Sequence, residues 1–283
     1  MSTGRAIRTL GLVHLYRTEG YDVAALSGVD LVVGAGEVVG LLGPSGSGKS
    51  TLLALLGGLF RPSAGKIFVG DHELSALGPA ALDAFLARET SLMLQGAQRN
   101  LVPYLSVREN VVFAQEAARR LGADVVGVGD TLALVGATGF ADERPAHLSQ
   151  GQLQRAALAV AMAPRPGVLL ADEPTSALDR SARDQVLDAV LRVNAELGTT
   201  VVLVTHDPDV ARRLPRTVTI RDGRIGGEGR SGEEYAVVTA DGFVPLPAAV
   251  RESLPPGTLL HFEQDGGRWV VVPEVRGEEP GPG

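Results

Sequence analysis

The 283-residue chain has no cysteine, one tryptophan and only two lysines, Lys49 and Lys66. Without thiols it can form neither disulfides nor thiolate metal centres, which fits a reducing compartment. Long apolar runs are missing too. "TLLALLGGLF" and "GVLLAD" fall far short of the ~20 residues needed to cross a bilayer. The start, "MSTGRAIRTLGLVHLYRTEG", lacks the apolar core of a signal peptide. These absences predict a soluble, cytoplasmic chain with no direct membrane insertion, meeting a membrane only through a partner. Positive charge is in deficit, with 33 acids against 26 bases and a net charge of −7, which argues against broad nucleic-acid or anionic-lipid binding. What is abundant is apolar content, 45 % of residues. That suffices for one large domain, or one domain plus a small appendix, around a buried core.

Along the chain, "VDLVV" (29–33) reads as a short strand and "VVGLLG" (38–43) as a strand buried on both faces. A glycine-rich loop follows, then a helix in "KSTLLALLGGLF" stopped by Pro62. "KIFVG", "TSLMLQ", "GVLLAD" and "TVVLVTHD" are further strand candidates, with helical patterns between them. The expected fold class is therefore α/β with a mainly parallel core sheet. Within residues 104–147, "VRENVVFAQEAARRLG" and "GDTLALVGAT" read as helical with no convincing strand between them, a helical insertion in that core. "VTIRDGRI" (218–225) predicts a hairpin turning at Asp222–Gly223. "GGEGRSGEE" (226–234) has the composition of a linker, 235–275 is a small β-rich unit, and 276–283 is expected to be a disordered tail.

The chemistry is concentrated in two places. Gly43, Pro44, Ser45, Gly46, Ser47, Gly48, Lys49, Ser50 and Thr51 match G-x-x-x-x-G-K-[ST] between a buried strand and a helix. Glycines let the backbone amides close around phosphate oxygens, and the helix start adds its positive end. Lys49 suits the β- and γ-phosphates and the Ser50 hydroxyl suits Mg²⁺. A bare glycine turn with an exposed lysine is the competing reading, and the strand and helix on either side disfavour it. The second place is Asp172–Glu173, at the end of an apolar strand and before Pro174. Adjacent carboxylates on a strand point to opposite sides, so one can serve Mg²⁺ and the other the attacking water.

With "LSQGQ" (148–152) downstream, residues 5–225 resemble an ABC-type ATPase cassette, a P-loop NTPase fold with a RecA-like core, a β-subdomain and an inserted helical subdomain (about 104–163). The resemblance implies ATP hydrolysis by Glu173, His206 and Lys49. It makes Tyr16 the aromatic that stacks on adenine and Gln95 a glutamine sensing Mg²⁺ alongside Ser50 and Asp172. Ser149, Gln150, Gly151 and Gln152 become the signature that completes the site of a second copy. Ser176, Ala177, Leu178 and Asp179 become the loop that crosses the dimer interface. Implied partners are a second copy of the chain and an integral membrane permease, which would hold it at the inner face of the membrane. Gln150 departs from the family's usual glycine, and Val160 stands where a second arginine is usual.

"LLALLGGLFRPSAGKIFVGDHELSAL" and "NLVPYLSVRENV" look most like the lipoprotein-releasing and macrolide-exporter group, which works with FtsX-like permeases. "PTSALD" also occurs among amino-acid importers. Residues 242–273 resemble a swapped-hairpin AbrB-like fold, which implies dimerisation or DNA contact. Within 235–275, Arg251 and Arg268 face Asp241, Glu252, Glu263, Asp265 and Glu274, so dimerisation is the expectation and nucleic acid is unlikely as a partner. The alternative is a soluble regulatory ATPase that uses this appendix on DNA or protein.

Overall fold

Apolar residues that run on without alternation can only be satisfied between two covered faces, and they become the centre of one sheet. The computed structural model describes residues 4–18, 20–120, 122, 125–230, 233–238, 242, 244, 246, 248–254 and 257–274. In chain order, β1 (Ile7–Thr18) and β2 (Tyr21–Val29) form an antiparallel pair, and β3 (Val32–Val33) returns to the start of β1. Then come β4 (Val38–Leu42), α1 (Lys49–Leu56), β5 (Ala64–Val69), β6 (His72–Glu73), α2 (Pro79–Glu89) and β7 (Thr90–Met93). Helices α3 (Val107–Arg120), α4 (Val128–Leu134) and α5 (Gln150–Met162) follow with no strand between them among the described residues. Next are β8 (Val168–Asp172), α6 (Arg180–Leu197), β9 (Thr200–Val204) and α7 (Pro208–Ala211). Strands β10 (Arg216–Arg221), β11 (Arg224–Arg230) and β12 (Glu233–Ala236) lead to α8 (Ala248–Ser253) and the hairpin β13 (Leu260–Asp265) and β14 (Arg268–Pro273).

The seven-stranded sheet has the order β12-β11-β10-β4-β9-β8-β7, parallel from β10 to β7 and antiparallel at the β11–β12 end. All five residues of β9 are buried. Side chains alternate across the sheet, so β8 feeds two cores. Leu169 and Ala171 join the helices α3 to α6, whereas Val168 and Leu170 join α1 and the second sheet. That second sheet is antiparallel, with the order β2-β1-β5-β6 and β3 paired to β1. No helix among the described residues is long and apolar enough to cross a membrane.

Three expectations need correction. Helix α1 stops at Leu56, well before Pro62, because Gly58 adopts a left-handed conformation (φ +68°) that ends the turn. "VDLVV" is two pieces, broken at Asp30, whose carboxylate accepts the Gly11 amide at 2.6 Å. Residues 226–234 are not simply a linker, since most of them lie in β11 and β12, paired with Gly227 opposite Ala236 and Arg230 opposite Glu233. Gly229 serves close packing, because a Cβ there would strike the Thr217 hydroxyl. Tyr235 and Ala236 accordingly belong to the large sheet and not to the appendix. The expected tail, 276–283, lies outside the described residues.

Candidate functional site

Strand β4 runs out of the sheet at Leu42 and turns at once into residues 43–48. Gly43, Gly46 and Gly48 have φ of +142°, +79° and +99°, conformations that L side chains rarely adopt. Two of them are also hemmed in: a Cβ at Gly43 would collide with the Ile220 carbonyl, and one at Gly48 with that of Ala25. The loop delivers Gly48 as the N-cap of α1 with no side-chain cap, so the first amides of the helix point outward as anion donors. Lys49 lies across this loop, its ammonium donating to the carbonyls of Gly43 (2.9 Å) and Pro44 (2.7 Å). Burial lowers its pKa, opposed by the charges of Glu173 and Asp172. The result is a glycine loop, a helix start and one ammonium that together offer hydrogen-bond donors to an anion.

Asp172 closes β8 and accepts a hydrogen bond from the Ser50 hydroxyl at 3.2 Å. Burial pushes its carboxyl up and the neighbouring Glu173 charge adds to this, while Ser50 and Lys49 pull the other way. A half-buried carboxylate beside another carboxylate and a hydroxyl is a hard-oxygen donor set that a divalent cation would relieve. Among the described residues no group of three His, Cys, Asp or Glu could cage a metal. The Ser50 hydroxyl and the Asp172 carboxylate are the few oxygen donors that suit Mg²⁺, which keeps most of its waters and shares phosphate oxygens.

Glu173 is one of four non-glycine residues with positive φ among those described (+48°), and its amide donates to the Val204 carbonyl at 3.1 Å. Strain of this kind persists where surrounding contacts hold it. Here it swings the carboxylate between two partners: Gln95 Nε2 donates to one oxygen at 2.9 Å, and His206 Nδ1 lies 3.0 Å from the other. The three residues leave the carboxyl ends of the adjacent strands β7, β8 and β9, where parallel sheets place their ligands. Tyr16, on β1, completes the wall, its hydroxyl 3.2 Å from Thr51 Oγ1. Together these groups line a cleft of about 710 Å³ running from Tyr16 past residues 43–51 to Gln95, Glu173 and His206. Val23, Ala24 and Ala25 also line it. They carry no motif, and their only sequence signal is their place shortly after Tyr16.

The remaining predicted residues lie elsewhere. Ser149 to Gln152 and Ser176 to Asp179 are not part of this cleft's lining. Ser149 caps α5 in a reciprocal box: its hydroxyl accepts the Gln152 amide at 3.3 Å, and the Gln152 side chain accepts the Ser149 amide at 2.9 Å. Gly151 has a reason inside its own chain, because a Cβ there would stand 2.8 Å from that of Ala182 on α6. Ala182 is tied in turn to Asp179, whose carboxylate accepts its amide at 2.9 Å. The loop between starts at Glu173, whose carbonyl accepts the Ser176 amide, and bends through Ala177 at φ +59°. One chain thus links the strained carboxylate, the 176–179 loop and the tip of α5.

Comparison with known proteins agrees with this geometry. The family model described as ABC transporter matches residues 26–176. The methionine import ATP-binding protein MetN of Caulobacter vibrioides is 44 % identical over 77 % of this chain and 65 % of its own length. That of Thermobifida fusca is 42 % identical over 80 % and 70 %. The chain spans less than two thirds of several of these curated relatives. Their names are those of methionine importers, not of the lipoprotein-releasing or macrolide-exporting group that residues 52–77 and 100–111 resemble. Among solved structures, the dimeric cassette MJ0796 bound to ADP and Pi is 31 % identical, with a TM-score of 0.71 over 79 % of this chain and 98 % of its own. A cradle of glycine amides, a lysine and a hydroxyl–carboxylate pair thus sits in a chain matched along most of its length, and the chain belongs to the ABC transporter family as an ATP-binding cassette.

Proposed function

We propose that this chain hydrolyses ATP as the motor subunit of an amino-acid importer of the methionine type, working as a homodimer beneath a membrane permease at the cytoplasmic face. The observation that carries the hydrolytic reading is Glu173, held in a left-handed conformation between Gln95 and His206 at the rim of the phosphate cradle. The loop amides and Lys49 bind the phosphates. Ser50 and Asp172 would hold Mg²⁺, which supplies charge neutralisation at the transferred phosphoryl group when bound. Glu173, once Gln95 lets go of it, orients and polarises the attacking water, and His206 donates toward the γ-phosphate.

Ser149 to Gln152 lie outside the chain's own cleft, which supports a second copy as the source of the missing wall, as in dimeric relatives. The permease reading draws on the helical insertion, where Tyr104, Val112 and Phe113 are exposed apolar side chains downstream of Gln95. The importer assignment rests on the relatives' names. An FtsX-like, exporter-type partner is the other reading, favoured by residues 52–77 and 100–111.

The C-terminal hairpin is proposed as a contact between copies. Its register puts Leu260, Phe262, Trp269, Val271 and Pro273 on one face, with Phe262 and Trp269 64 % and 69 % exposed. A lone two-stranded hairpin with an uncovered apolar face is marginal by itself. The decisive experiment is Glu173→Gln in a chain shortened after Val238, which leaves out the hairpin contact: turnover should fall by about 10²–10³, with an ATP-dependent dimer accumulating in light scattering. A variant that stays monomeric in ATP would remove the shared-site reading. Co-purification from solubilised membranes then separates an importer permease, an exporter permease and a permease-free regulatory ATPase.

A further inference from the structure

His14 lies two residues before Tyr16 on β1, and nothing in the phosphate or metal chemistry uses it. It is 8 % exposed, and its Nδ1 has no hydrogen-bond partner among the described residues. A buried nitrogen without a partner costs stability, so hydrogen bonding at that atom does not explain the residue. What surrounds it is aromatic. His14 stacks on Phe60 with centroids 5.7 Å apart and planes 21° apart. Both rings stand nearly perpendicular to Tyr16, His14 at 4.8 Å and 85°, Phe60 at 6.2 Å and 87°.

Tyr16 is thereby indexed to the helix that carries the phosphate cradle. Its hydroxyl reaches Thr51 in the first turn of α1, and its ring meets Phe60, four residues beyond the last turn. His14 packs against both rings. We propose that His14 is a positioning residue that holds the Tyr16 ring upright at the cleft and so sets nucleotide affinity without touching the reacting phosphates. The inference rests on the reading of Tyr16 as the platform for the base.

The test is steady-state ATP hydrolysis by the full chain as a function of ATP concentration, for His14→Ala, His14→Phe, Tyr16→Ala and the double variant, alongside thermal melting. His14→Ala is expected to raise KM about three- to tenfold, the scale of one lost aromatic pair, with kcat within about twofold of wild type. His14→Phe should restore KM, because it keeps the ring. The double variant should be no worse than Tyr16→Ala. A His14→Ala protein with normal KM beside a defective Tyr16→Ala protein overturns the proposal, as do a loss confined to kcat or additive effects in the double variant. A normal KM in Tyr16→Ala removes the platform reading, and the role of His14 falls with it. Should His14→Ala fail to fold, His14→Asn serves as the ringless variant.

Discussion

Gly151 illustrates how a residue proposed for a shared site can be dictated from within its own chain. Overpacking a tight contact costs about 1–3 kcal/mol, and the methyl of Ala182 would be 2.8 Å from a new Cβ at 151. Gly151→Ala is therefore expected to lower ATP turnover about tenfold, and Ala182→Gly in the same chain to restore most of it. Failure of that rescue would place the constraint on the partner's nucleotide. Gln150, exposed at the helix start, makes no such contact, so Gln150→Gly should leave turnover within about tenfold. At this scale the sequence was most legible where one short segment carries the whole signal. Residues 43–51 declare themselves through a motif set between a strand and a helix, and 172–173 through the apolar strand before them and Pro174 after them. Val23, Ala24 and Ala25 do not, since small residues on a strand carry no chemistry until the fold sets them beside Tyr16.

Among the elements, the buried parallel strands were readable because burial on both faces leaves an unbroken apolar run. Strands β1 and β2 escaped because β2 is half exposed and its pattern is diluted. Strands β11 and β12 escaped for another reason, as a glycine-rich stretch that includes the closely packed Gly229 imitates a linker. What anchors that edge is Arg216, 11 % exposed, donating to both oxygens of Glu37 at 3.1 Å and to Glu228 at 2.9 and 3.0 Å. Removing one member of such a pair leaves charge without compensation, so Arg216→Ala should cost about 3 kcal/mol in urea unfolding. Burial works against the Glu228 charge, but hydrogen bonds from Arg216 and Arg230 outweigh it and hold its carboxyl below the ordinary 4.5. The stability this contributes is complete above pH 4.5 and is lost as pH falls through the folded value. Arg216→Ala should accordingly flatten the part of the stability profile below pH 4.5 that belongs to Glu228, as read by denaturation at stepped pH.

For the whole molecule, the sequence conveyed the α/β cassette and its inserted helices, because apolar periodicity and motif order survive without coordinates. It could not say where the cassette ends, which depends on strand pairing between segments far apart in composition. Two associations are expected with different triggers. Removing residues 239–283 should weaken self-association without nucleotide, measured by sedimentation, while Glu173→Gln should still assemble when ATP is present. Loss of both together would mean a single interface.

Strand β12 has a practical corollary for any such shortened protein. Removing residues 228–283 would strip β12 and the last three residues of β11, take away one of the two carboxylates that neutralise Arg216 and lay bare the Arg216–Val218 end of β10, which invites aggregation. Insolubility after that cut would report a wounded sheet, whereas a cut beyond Val238 leaves the fabric whole and makes the appendix's own contribution measurable.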